Sequence, residues 1–140
     1  MDQIKYDCVS DGAVVPFLAN PDSAAFELCA PRDFLLPARE ICIMPVDLVF
    51  KMDPGICGII LPDMGMLTKK NIETKFGIVD ASNHQGVKVA IFNMNEKAFQ
   101  IRQGDKVAKL LFLQCDSPSF KAMAKCSSQL SPSSPKLGDE

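Results

Sequence analysis

Histidine is almost missing from this sequence: His84 is the only one. A zinc centre would therefore need thiolates, yet the six cysteines (Cys8, Cys29, Cys42, Cys57, Cys115 and Cys126) form no Cys-x-x-Cys pair and stand at irregular separations. Most lie inside apolar stretches and no leader-like segment precedes them, so reduced thiols are expected rather than disulfides or metal ligands. A basic excess is lacking too. With 15 Lys and Arg against 17 Asp and Glu, the net charge of −2 argues against a nucleic-acid partner. No apolar run approaches the ~20 residues that cross a bilayer. These absences predict an intracellular chain, cytoplasmic or nuclear, without a membrane partner.

What is present is a core. The chain has 140 residues, 47% of them hydrophobic, enough for one domain that buries roughly two thirds of the surface exposed on unfolding. Short apolar runs recur about every ten residues between turn signals: AAFELCA, ICIMPVDLVF, GICGIIL and KVAKLLFLQ. That rhythm predicts an all-β sandwich or barrel. In GVKVAIFN, Val87, Val89 and Ile91 alternate with Lys88, Ala90 and Phe92, so period two wins over period 3.6. Pro31, Pro37, Pro45, Pro54 and Pro62 sit at run boundaries, where a missing N–H costs least. Only LTKKNIET and SFKAMAK have helical flavour, and both are short. The composition shifts near residue 115, which divides the chain into a domain over 1–115 and a Ser/Pro-rich flexible tail over 116–140.

Four segments, taken in order, resemble the motifs of one family. They are SAAFELCAPRDFLLPARE, GICGIILPDMGMLTKKNIET, GIVDASNHQGVKVAIFN and FQIRQGDKVAKLLF, together covering about residues 20 to 115. Their spacing is similar to that of the trimeric dUTPases. The resemblance implies a jelly-roll-like β-barrel, a homotrimer with sites between subunits, and cleavage of dUTP to dUMP and pyrophosphate with magnesium.

The same resemblance locates replacements. Asp80 stands where the family's Asp holds the attacking water, and is the catalytic candidate if the chain is active. Asn83 and His84 take the places of a sugar-stacking Tyr and an Arg; with Gly65 and Lys69 they are the substrate-binding candidates under the same condition. Asp63 and Met64 replace an Arg and a Ser that contact the phosphates. At an effective dielectric near 20, a unit charge ~4 Å from a phosphate contributes about 4 kcal/mol, so Arg to Asp reverses a term of that size. Glu27 replaces the Asp that supports magnesium through water, and Lys109 replaces a Gln. The family's Gly-rich arm has no counterpart, since Gly138 is the only glycine after residue 115.

Taken alone, Asp80 also reads as a strand-ending carboxylate that caps its own turn, and His84 as a solvated turn residue. The function implied is a dUTPase-like pseudoenzyme that has lost hydrolysis and acts through contacts with a protein partner not identified by sequence, with no cofactor. Such derivatives occur among viral proteins, and a viral origin fits. The alternative is a divergent dUTP pyrophosphatase that uses magnesium. A nucleotide sensor that binds without cleaving is the third reading.

Overall fold

The structure, a computed structural model, describes residues 3–124. Within them the order is β1 (Lys5–Cys8), β2 (Phe26–Cys29), β3 (Phe34–Leu36), β4 (Ile41–Pro45), β5 (Leu48–Lys51), β6 (Ile56–Pro62), α1 (Met64–Lys70), β7 (Ile72–Thr74), β8 (Gly77–Asp80), β9 (Lys88–Asn93), β10 (Phe99–Ile101) and β11 (Lys106–Gln114). The fold is all-β and jelly-roll-like, as expected. Its ladders form four sheets, β2-β11-β6-β8, β4-β9-β7, β1-β5 and β10-β3, with every strand pair antiparallel.

Alternation decides which faces pack. Val87, Val89 and Ile91 are buried, while Lys88 is exposed and Ala90 and Phe92 are half-buried. In the four-stranded sheet, Ile60, Val79 and Leu110 point into one core with Leu28, Leu48 and Ile101. The opposite face carries Ile59 opposite both Ile78 and Leu111. Phe112 closes the end of the core edge-on against Phe26 and Phe50, with ring centroids 5.8 and 6.3 Å away. Aromatic pairs of this kind contribute about 0.5–1.5 kcal/mol beyond area burial.

Three departures from the sequence reading have local causes. The run ICIMPVDLVF splits into β4 and β5 because Asp47 takes a left-handed turn at φ 58°, and its Oδ2 accepts from the Ser10 hydroxyl at 2.8 Å and from Arg32. LTKKNIET is half helix, half strand. Asn71, left-handed at φ 55°, ends α1 and sends Ile72 and Thr74 into the core as β7. In SFKAMAK the residues 119–124 form no helix, and Phe120 and Met123 are fully exposed; Lys125 lies outside the described residues. So does 125–140, the greater part of the expected tail. Among the described residues no helix is long and apolar enough to cross a membrane.

Candidate functional site

Glu27 and Lys109 are cross-strand partners in β2 and β11, 82 residues apart in sequence. The Lys109 ammonium donates to Glu27 Oε1, and the other carboxylate oxygen, Oε2, is buried without a partner. Glu27 is buried, whereas the lysine head remains about a third exposed. A carboxylate this deep needs a neutralising neighbour, because desolvating an unpaired charge costs several kcal/mol. The two side chains therefore go together.

Asp63 lies at the same end of the sheet, just beyond Pro62, which faces Ala108 on β11. It is the N-cap of α1, and its Oδ2 accepts from the Met66 N–H at 3.0 Å. Aspartate is among the residues that cap best, and replacing such a cap by Ala costs about 1 kcal/mol. An arginine could not accept that bond. Gly65 fits tightly beneath it: an added Cβ would meet Asp63 Oδ2 at 3.3 Å. Met64 is 60% exposed, and Lys69 and Lys70 are exposed in the last turn, where cations suit the helix dipole.

The turn before β11 is built by residues of the fourth motif. Gly104 adopts φ 87° and donates its N–H to Ala30 O at 2.8 Å, while Asp105 accepts from the Arg102 N–H at 2.9 Å. The Cys29 thiol beside them is raised, by burial first and then by the Glu27 carboxylate, with Lys106 pulling the other way.

Asp80 ends β8. Its Oδ1 accepts from the Ser82 hydroxyl at 2.5 Å and the Ser82 N–H at 3.0 Å, and its carbonyl accepts from the Asn83 N–H at 3.0 Å. The carboxylate thus caps its own turn. The hydroxyl bond first, and the N–H bond second, hold it below the ordinary aspartate range. Asn83 is half-buried and His84 exposed in the following turn.

These groups form two sets. Cys57 faces Asp80 on β8 and Leu113 on β11, whereas Lys109 faces Glu27. Lys109 and Leu113 are four residues apart, about 13 Å at strand rise. Within one protomer, Glu27, Lys109 and Asp63 therefore stand at one end of the sheet, and Asp80, Asn83 and His84 at the other. Sequence reasoning weighed Glu27 and Lys109 separately and passed over Ser82 as a partner of Asp80; for Ser82 the signal was available, since Asp-x-Ser is a common side-chain turn.

The dUTPase family profile matches residues 11–134 of this chain. The chain belongs to the dUTPase family. The deoxyuridine 5'-triphosphate nucleotidohydrolase of fowl adenovirus A serotype 1 is 34% identical over 117 residues, 84% of this chain and 66% of that protein. The Candida glabrata protein of the same name is 32% identical over 108 residues, 77% of this chain and 75% of its own. The chain thus spans about two thirds to three quarters of these relatives. In fold it is similar to the dUTPase of Staphylococcus bacteriophage 80alpha, with TM-score 0.81 at 15% identity over 87% of this chain and 96% of that one. A phage phi11 dUTPase has TM-score 0.81 at 18% identity, over 86% and 96%.

A magnesium ion, which the family implies, does not fit the Glu27 position as it stands. Lys109 already neutralises the carboxylate that the dUTPase motif offers to hydrated metal, and a second cation there meets an ammonium. Among the described residues no three His, Cys, Asp or Glu side chains cluster to hold a metal ion.

Proposed function

We propose that this dUTPase-family chain no longer cleaves dUTP and acts through association with protein. One observation carries the reading: Asp63, standing where the family's motif has a phosphate-contacting Arg, spends its carboxylate on the α1 N-cap. An anion there opposes a triphosphate, and the adjoining Glu27–Lys109 pair is internally neutralised. Exposed Met64 supplies no hydroxyl donor to a phosphate oxygen.

The same chain is proposed to be a homotrimer. Supporting this, the outer face of the four-stranded sheet carries an apolar patch between Lys109 and Asp80, with Ile78 58% and Leu113 44% exposed beside half-buried Ile59, Leu61 and Leu111. A site uniting Asp80 with the Glu27 end also requires two copies, because one protomer holds them apart. Light scattering at micromolar concentration should give the trimer mass; a monomer refutes this arrangement.

A second reading, a divergent dUTP pyrophosphatase, is favoured by the nucleotidohydrolase names of the relatives and by Asp80, whose carboxylate stays charged at the position of the family's water-holding Asp. Pyrophosphate release from dUTP with magnesium separates the two. The first reading expects none from the natural chain and none from Asp80→Asn. Turnover of about 1 per second or more that Asp80→Asn abolishes establishes the second.

A further inference from the structure

At the Asp80 end of the sheet two thiols come together. Cys57 in β6 faces Leu113 of β11, and Cys115 is two residues further along, on the same side of the ladder. Cys115 lies one residue past the end of β11, tied to β6 by its N–H, which donates to Gly55 O at 2.8 Å. Gly55, at φ 94°, places no side chain between the two sulfurs. Cys115 is exposed and Cys57 half-buried, and the Cys115 thiol is raised, by desolvation first and then by the Cys57 thiol beside it. Diagonal partners on a ladder are somewhat too far apart for a relaxed disulfide. Closing that gap takes a shift of Cys115, which stands one residue past the strand end.

We propose that Cys57 and Cys115 form a reversible oxidation site, closing to a disulfide with a peroxide as oxidant. The exposed Cys115 thiolate attacks a peroxide oxygen; the O–O bond breaks and hydroxide leaves as water after taking a proton. Cys57 sulfur then attacks the resulting sulfenic sulfur, the S–O bond breaks, and a second water departs. Two thiols lose two electrons and two protons, and one hydrogen peroxide becomes two waters. The bond would pin residue 115 to the strand position opposite Asp80, fixing where residues 116–124 leave the sheet. It is independent of whether the chain cleaves dUTP.

The test is peptide mapping of the full chain after peroxide treatment, with free thiols blocked before digestion and no reductant. The expected product is a peptide pair linked through Cys57 and Cys115, about 2 Da lighter than its reduced parts and separated by dithiothreitol. The link should vanish in Cys57→Ser and Cys115→Ser and persist in Cys8→Ser and Cys126→Ser. Circular dichroism checks that each variant folds, with Cys57→Ala as the substitute should the serine fail. Linkage of Cys115 to Cys126 or Cys8, linkage between copies, or oxidation to sulfonic acid without linkage overturns the proposal.

Discussion

The two ends of the four-stranded sheet each present a carboxylate, and treat it oppositely. Glu27 is buried, so it must be matched, and Lys109 matches it from the neighbouring strand. Asp80 stays at the water's edge, held only by Ser82 two residues on. A buried acid is committed to its partner and cannot be released without a large penalty. A wet one keeps its lone pairs available. In the proposed reading, the Glu27 end has become framework while the Asp80 end keeps a usable anion.

Breaking the matched end should have the largest effect. Lys109→Met leaves Glu27 buried and unpaired; removing one partner of a fully buried pair costs 3–5 kcal/mol, and partial exposure of the lysine head brings the expectation to about 2–3 kcal/mol in denaturant unfolding. Adding Glu27→Leu to that variant should recover most of the loss. Full destabilisation in the double variant would mean that packing, not charge, accounts for the effect.

Next in size is the helix cap. Asp63→Ala should cost about 1 kcal/mol and Asp63→Asn only a few tenths, since the amide oxygen still accepts from the Met66 N–H. Equal losses would point to charge rather than capping.

The smallest effect is expected at Asp80. Its carboxyl is held low, so its contribution to stability is present above the unfolded carboxylate pKa near 3.9 and is lost as pH falls through the lower folded value. Ser82→Ala should raise the Asp80 pKa towards the ordinary range, read by a carboxyl NMR titration, with little change in stability at neutral pH. An unmoved titration would show that Ser82 does not hold it.

How much of this was legible in the sequence follows from the range of each interaction. β9 was plain because Val87, Val89 and Ile91 alternate with outward residues, and β6 and β11 because their runs are long. β1 was hidden: all four of its residues are exposed, so it carries no burial pattern. β3 and β10 have three residues each, too few to show a period. α1 buries none of its residues, which removes the apolar stripe that announces a helix, and its cap was read only as a lost arginine. Glu27, Asp63, Met64, Asn83, His84 and Lys109 were visible as departures from the motifs that the chain resembles. That Glu27 and Lys109 answer one another was not, because a contact across 82 residues leaves no mark in local pattern.

Closure of the Glu27–Asp63 end to a triphosphate is the central property proposed for this chain. Titration calorimetry of the full chain with a non-hydrolysable dUTP analogue and magnesium measures this directly. No binding heat up to about 1 mM ligand is predicted, an affinity weaker than about −4 kcal/mol. Saturable binding near 1 μM, about −8 kcal/mol, would contradict it.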